Sequence, residues 1–94
     1  MAAGIKNYQF SQTFKKSYNR LPGEIKKTFK QKLELLLRDI SHRSLRVKRI
    51  QGTDNRWEGS VTMKYRFTFQ WDGSTLIFRT IGTHDILMKE SRDR

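Results

Sequence analysis

The first third of the chain has a short β-type segment followed by a helical spacing of apolar residues. Residues Ile5–Phe10 alternate weakly and are rich in β-formers, which predicts a first strand. Ser11 follows at a position where its hydroxyl can cap a helix N-terminus. The next apolar residues recur at spacings of four and three: Phe14, Tyr18 and Leu21. This spacing predicts a short helix that ends before Pro22, and Pro22 suits the first turn of another helix.

A second helix is the clearest element of the pattern. Its apolar positions recur at spacings of three, four and one, and they are Ile25, Phe29, Leu33, Leu36, Leu37 and Ile40. Half of the remaining positions between Ile25 and Ile40 are basic, as on the solvated side of an amphipathic helix: Lys26, Lys27, Lys30, Lys32 and Arg38. The turn between the two helices is short, so we expect an antiparallel helical hairpin.

From Leu45 onward the hydrophobic period changes from 3.6 to two. The alternating segments are Leu45–Ile50, Trp57–Val61, Tyr65–Trp71 and Leu76–Ile81, and a last short helix is predicted over His84–Glu90. The sequence therefore predicts an α+β fold, with an antiparallel sheet of four to five strands. The helical hairpin is expected to pack on one face of that sheet.

The Asp72-Gly73 pair is a signal for a two-residue type I′ hairpin turn. A turn at this place pairs Phe67 with Phe78 on the apolar face. It also pairs Arg66 with Arg79 on the other face, because directly paired residues share a face.

The loop between the segments Trp57–Val61 and Tyr65–Trp71 can be interpreted in two ways. A two-residue loop would pair Val61 with Arg66 and mix apolar with basic side chains on one face. A three-residue loop over Thr62–Lys64 pairs Val61 with Tyr65 and keeps the faces distinct, so it is preferred.

The second face of the predicted sheet is polar and basic. It carries Arg56, Glu58, Ser60, Arg66, Thr68, Gln70 and Arg79, and Arg46 and Lys48 on the adjoining strand extend it. Two arginines opposite each other destabilise a sheet by about 0.2–1 kcal/mol, and a phosphate between them would reverse that effect. The face is therefore a candidate surface for a single RNA strand. The alternative is a solvated face on which Glu58 forms a weak surface ion pair.

Charge points to the same class of partner. The 94 residues fit one domain, 1–94, and 20 Lys and Arg against 9 Asp and Glu give a net charge of +11. Such an excess favours a polyanionic partner, nucleic acid before membrane, although solubility alone is the simpler alternative.

Cysteine and histidine usage excludes several site classes. No cysteine is present, which excludes a disulfide scaffold and a thiolate zinc site. Two histidines without a ligand cluster predict no metal and no cofactor. No run approaches the roughly 18 apolar residues of a membrane span, so we expect a cytoplasmic protein without membrane contact.

A second cluster, Gly82-Thr83-His84-Asp85, follows the last predicted strand. His84 would lie at a helix N-terminus, where backbone N–H groups favour an anion. A histidine beside a phosphate is a candidate general acid or base, and Asp85 could orient its ring. The alternative for both residues is an ordinary role in capping the helix.

The whole chain resembles the RelE/ParE superfamily of toxins from toxin–antitoxin systems. The resemblance rests on a helix ending in Arg20-Leu21-Pro22 and on the basic segment Leu45–Ile50 followed by Gly52. It continues through Trp57–Val61, Tyr65–Phe69 and the ending Ile81–Asp85. It implies the same α+β architecture, and its ribonuclease branch implies a metal-independent endoribonuclease that cleaves mRNA at the ribosome.

In that branch the 2′-hydroxyl attacks its own phosphate. The resemblance implies that Arg66 holds the scissile phosphate, that His84 occupies a catalytic position, and that Glu58 acts as base or orienter. Lys48 would assist electrostatically. The basic residues expected to bind RNA are Arg46, Arg49, Arg56, Lys64 and Arg79. In contrast to many relatives with a Gly-Thr-His ending, only one histidine lies near this predicted site.

The resemblance also implies a cognate antitoxin protein as partner, in a toxin–antitoxin hetero-oligomer. Two other functions remain open at the level of sequence. The ParE-like branch inhibits DNA gyrase and is not a nuclease, and a non-catalytic RNA-binding module would have the same charge.

Overall fold

The computed structural model describes residues 5–92, so residues 1–4 and 93–94 of the predicted domain lie outside the described residues. The described residues form three α-helices and five strands. In chain order they are β1 (Asn7–Phe10), α1 (Gln12–Asn19), α2 (Gly23–Arg38), β2 (Lys48–Arg49), β3 (Trp57–Ser60), β4 (Tyr65–Asp72), β5 (Thr75–Thr83) and α3 (Ile86–Arg92). The five strands form one sheet with the order β1-β5-β4-β3-β2. The predicted α+β class is confirmed.

The helical hairpin begins and ends where local chemistry requires. The Ser11 hydroxyl accepts a hydrogen bond from the Phe14 N–H at 3.0 Å, which confirms the predicted N-cap. α2 begins after Pro22 and ends at Arg38 because Asp39 leaves the helical conformation with φ −153°. Ile40 was predicted inside the helix and lies beyond it, yet its side chain is buried.

The core lies between the helical hairpin and one face of the sheet. It is centred on Phe78, whose ring lies 5.6 Å from Phe14, 5.9 Å from Phe29 and 5.9 Å from Phe67, measured between centroids. Burying each such side chain contributes about 1.5–3 kcal/mol to stability. Leu36, Leu45, Phe69, Leu76 and Ile81 complete the packing. The predicted packing of the hairpin on one face is confirmed.

One strand pair differs from the predicted antiparallel arrangement. β1 runs parallel to β5, with Phe10 opposite Phe78, so the sheet is mixed. The chain leaves the sheet after Phe10, and α1 takes the place of β1 beside the second half of β5. There the Ser11 hydroxyl donates to the Arg79 carbonyl at 2.9 Å. β1 and β5 are far apart in the chain and no hairpin turn joins them, so their relative direction carries no local signal.

The register between β4 and β5 also differs from the prediction. Asp72 pairs with Thr75, so the two loop residues are Gly73 and Ser74, one position later than expected. Gly73 has φ +62° at the first loop position, which suits a type II′ turn and leaves Asp72 in extended backbone.

A β-bulge between Thr68 and Phe69 shifts the register again. As a result Arg66 lies opposite Gly82, and the predicted Arg66–Arg79 pair is wrong. By contrast, the predicted three-residue loop is confirmed, since Ser60 pairs with Arg66 and the Val61 N–H donates to the Tyr65 carbonyl.

The predicted strand over Leu45–Ile50 is mostly absent. A 3-10 turn covers Arg43–Leu45, and Arg46 adopts a left-handed conformation with φ 50°, which leaves only Lys48 and Arg49 in β2. The His42 ring starts this turn, since its Nδ1 accepts from the Ser44 N–H at 3.2 Å. The cap fixes a local bend that the alternating pattern did not reveal.

Candidate active site on the second face of the sheet

The sheet brings three of the predicted site residues to one region of its second face, opposite the helical hairpin. Lys48 pairs with Glu58 and Glu58 with Thr68, so these three side chains form one row across β2, β3 and β4. The next row joins Ser60, Arg66 and Gly82. Glu58 and Arg66 are therefore diagonal neighbours on this face, a relation in which the Cα atoms lie about 7–8 Å apart.

Glu58 is a largely buried residue, 9% exposed, whose carboxylate forms no ion pair with the described side chains. Among the side chains that the structure describes, every salt bridge involves Glu90, and no hydrogen bond reaches the Glu58 side chain. The expected surface ion pair of Glu58 is therefore not formed by the described residues. A carboxylate in this situation is available to accept a proton from a ligand.

Arg66 is oriented by backbone carbonyls. Its Nη1 donates to the carbonyls of Thr62 and Met63 in the β3–β4 loop, the latter at 2.8 Å, and to the Tyr65 carbonyl at 3.2 Å. Carbonyls hold a guanidinium group in place without neutralising its charge. The Nε and Nη2 groups make no hydrogen bond within the described part of the chain, and they present the fork that binds phosphate oxygens.

His84 lies in the turn between β5 and α3, at the same end of the sheet as Arg66. Arg66 pairs with Gly82 and Tyr65 with Thr83, so the chain reaches His84 immediately beyond this row. The His84 side chain is exposed, and its carbonyl accepts from the Leu87 N–H. Asp85 is also exposed, and no hydrogen bond joins the two side chains among the residues described.

The other end of the second face has a different chemistry. Arg79 Nε donates to both carboxylate oxygens of Glu90, at 3.1 and 2.8 Å. Arg56 Nη1 donates to the Glu90 carbonyl at 3.1 Å and lies 3.7 Å from its Oε1. Two residues that were expected to bind RNA are thus already occupied by one carboxylate of α3.

Glu90 was missed by the sequence analysis, although a signal was present. It lies four residues after Ile86, which packs over Gly82 on the sheet, so both side chains share the buried face of α3. An acidic residue on the apolar face of a helix that follows a basic sheet predicts an inward ion pair.

α3 covers the middle of the second face. Thr68 is 0% exposed there, and its hydroxyl has no hydrogen-bond partner among the described residues. Lys48 is exposed and Arg66 is half-buried, so a ligand can reach the side of the face formed by β2, β3 and the start of β4.

The remaining basic residues are dispersed. Lys64 is exposed in the loop that holds Arg66, and it can join that end of the face. Arg49 pairs with Trp57 and so shares the helical side of the sheet, and Arg46 lies in the turn before β2. The expectation that Arg46 extends the second face is wrong, because its segment is not a strand.

No group of three His, Cys, Asp or Glu residues within residues 5–92 is placed to hold a metal ion. No helix in that range is long and apolar enough to cross a bilayer.

Comparison with known proteins identifies relatives by structure. No family model matches the chain, and no curated protein matches it by sequence. The toxin–antitoxin complex of RelB and RelE from Methanococcus jannaschii contains a chain that is 26% identical, with a TM-score of 0.71. That match covers 87% of this chain and 96% of the other.

Two further solved structures have a similar fold. A chain of the Escherichia coli DinJ–YafQ toxin–antitoxin complex gives a TM-score of 0.74 at 17% identity, covering 88% of this chain and 97% of that one. The YoeB/ParE toxin from Agrobacterium tumefaciens gives a TM-score of 0.70 at 13% identity, and the match covers 84% of this chain and 99% of that one. With its mixed five-stranded sheet and helical hairpin, the chain has the fold of the RelE/ParE toxin superfamily.

Proposed function

We propose that this protein is the toxin of a toxin–antitoxin pair and that it is a metal-independent endoribonuclease acting on mRNA at the ribosome. The observation that carries the proposal is the contrast in charge at the Arg66 end of the second face. A guanidinium group held only by carbonyls shares this face with the carboxylate of Glu58, a diagonal neighbour that forms no ion pair with the described side chains. A phosphodiester bound across these two groups would have a cation for the phosphorus and a base for the attacking oxygen.

The proposed reaction is an internal transfer at phosphorus. Glu58 accepts the proton of the ribose 2′-hydroxyl, and the 2′-oxygen forms a bond to the adjacent phosphorus. Arg66 and Lys48 stabilise the additional negative charge of the phosphorane. The bond from phosphorus to the 5′-oxygen then breaks, and His84 gives that oxygen its proton. The products are a 2′,3′-cyclic phosphate and a free 5′-hydroxyl, with no water or metal consumed.

The proposed protein partner is an antitoxin. Two of the similar structures are complexes of a toxin with its antitoxin, named RelB and DinJ. The net charge of +11 favours an acidic protein as well as RNA, and a hetero-oligomer would neutralise it. The substrate and the ribosome would place the active toxin in the cytoplasm.

Induction of the protein in growing cells tests the function directly. The 5′ ends of one abundant message are mapped within minutes, and each new end is assayed for a 5′-hydroxyl or a 5′-phosphate. We expect new ends confined to the translated region, carrying 5′-hydroxyls and absent when His84→Ala is induced at the same level.

Other results would replace the proposal. Intact mRNA with growth arrest and DNA damage would indicate a gyrase inhibitor. Intact mRNA without arrest would leave an RNA-binding protein. Cuts that persist in the His84→Ala variant would keep the nuclease but remove His84 from its mechanism.

A further inference from the structure

A cleft on the helical side of the sheet has the composition of a nucleotide-binding site. It lies between the end of α2, the 3-10 turn and the strands β3 and β4, and its volume is about 330 Å³. Its lining includes Ile40, His42, Arg43, Arg46, Trp57 and Trp71. We propose that this cleft binds a nucleotide of single-stranded RNA, with the base against the tryptophans and the phosphates at the two arginines.

The two tryptophans supply the base-binding wall. Their rings meet edge to face, with centroids 5.1 Å apart and an interplanar angle of 68°. Each indole N–H already has an acceptor, since Trp57 donates to Asn55 Oδ1 at 3.1 Å and Trp71 donates to the Gly73 carbonyl at 3.0 Å. Their polar atoms are therefore satisfied, and the ring surfaces that line the cleft are what remains for a ligand. Aromatic surfaces of this kind stack on any base.

The arginines supply the phosphate-binding rim. Arg43 and Arg46 are exposed, and neither forms an ion pair or a side-chain hydrogen bond within residues 5–92. Arg46 is also the only non-glycine residue with positive φ in that range, at 50°. Glycine would adopt this backbone without strain, so the strained position carries an arginine where another residue would fit better. Arginine is the side chain best suited to phosphate oxygens.

His42 completes the polar side of the cleft. Its Nδ1 accepts from the Ser44 N–H at 3.2 Å, so in this geometry Nε2 carries the ring proton. A neutral histidine of this kind can donate to a phosphate or base oxygen. Stacking surface, cations and a donor around one cleft are the combination expected for RNA rather than for an acidic peptide, which has no planar ring to stack.

The cleft is separate from the proposed active site. Trp57 and Trp71 lie on the helical face of the sheet, whereas Arg66 and Glu58 lie on the second face. Trp71 is also near the opposite end of β4 from Tyr65, about 20 Å along the strand at roughly 3.3 Å per residue. The proposal therefore does not depend on catalysis, and it would hold for a toxin that binds RNA without cutting it.

Intrinsic fluorescence tests the cleft selectively, because the sequence contains 2 tryptophans and both line it. The full-length protein is titrated with a hexamer of 2′-O-methyl adenosine, which cannot be cleaved through its 2′-oxygen. We expect saturable quenching. Arg43→Ala combined with Arg46→Gly should weaken binding at least tenfold. The slope of the logarithm of the binding constant against the logarithm of the salt concentration should also become shallower by about 0.7 for each arginine removed. Glycine at position 46 tolerates the positive φ, so this variant keeps the turn.

Matched controls decide between specific binding and general charge. Lys15→Ala combined with Lys30→Ala removes two exposed cations elsewhere and should leave the quenching curve nearly unchanged. Arg66→Ala should also leave it unchanged even though it removes the proposed cleavage. The cleft proposal is overturned by the absence of quenching, by equal losses in the lysine variant, or by equal quenching with hexaglutamate.

Discussion

Arg66 on β4 and Arg79 on β5 project from the same face of the sheet, but their guanidinium groups contact different kinds of oxygen. Arg79 binds the carboxylate of Glu90, so its charge is neutralised inside the protein. Arg66 binds carbonyls of the β3–β4 loop, so its charge remains available. The kind of oxygen that an arginine contacts therefore separates the structural basic residues of this face from those that can bind a phosphate. We expect the Arg66 end to control activity and the Arg79 end to control stability.

The largest effect is expected for the proposed general acid. His84→Ala should lower the rate of mRNA cleavage by roughly 10²–10⁴, the usual contribution of a positioned acid or base. Because His84 is exposed, the free energy of unfolding should change by less than about 0.5 kcal/mol. Cleavage rate and thermal melting are measured beside Met88→Ala, an exposed substitution on α3. An equal loss of cleavage in both variants would contradict a chemical role for His84.

Substitution of Glu58 at the same end should also lower activity without lowering stability. Glu58→Gln removes the proposed base and should lower the cleavage rate by about 10² or more. The carboxylate has no cation within the described residues, so the amide should leave the melting temperature unchanged or raise it. Full activity in the amide variant would remove Glu58 from the mechanism.

At the Arg79 end of the face, Glu90 is expected to contribute to the free energy of unfolding. Glu90→Ala leaves Arg56 and Arg79 without their carboxylate. We expect a loss of about 2–3 kcal/mol in the free energy of unfolding, below the usual value for a broken buried pair because the Arg79 side chain is 26% exposed. Denaturant titration measures it, with Glu34→Ala on the exposed side of α2 as the control. A loss no greater than that of the control would show that this ion pair is not structural.

The smallest effect on stability is expected for Thr68, which lies between the Arg66 and Arg79 ends of the face. Thr68 is fully buried and its hydroxyl has no partner among the described residues. Thr68→Val should therefore stabilise the protein by about 1 kcal/mol or less, since it removes an unsatisfied polar group. Destabilisation would mean that the hydroxyl has a partner in solution, with a bound water or Glu58 as the nearest choices.

The sequence predicted the elements whose signal is local. The helical hairpin followed from apolar spacing and from the Ser11 cap, and the three-residue loop followed from keeping Val61 and Tyr65 on one face. The shared face of Glu58 and Arg66 was predictable for the same reason, because side chains alternate strictly along a strand.

The register of the last hairpin was not predictable in the same way. A two-residue turn moved by one position keeps every side chain on its face and shifts each pair by two residues, so the alternation cannot detect it. The bulge at Thr68 and Phe69 adds a further shift. The faces were therefore predicted correctly while the Arg66–Arg79 pair was not, and the charge state of Arg79 depended on Glu90, which lies on a helix distant from the strand pattern.

The most direct test compares Arg66→Ala with Arg79→Ala in a ribosome-bound mRNA cleavage assay, with the rate corrected for the folded fraction of each variant. We expect Arg66→Ala to lose about 10²–10³ in rate per folded molecule, which the loss of its hydrogen bonds to loop carbonyls would not explain through stability alone. Arg79→Ala should melt at a lower temperature and cleave at nearly the original rate per folded molecule. The reverse pattern, with cleavage lost at Arg79 and retained at Arg66, would contradict the assignment of the reactive end of the face.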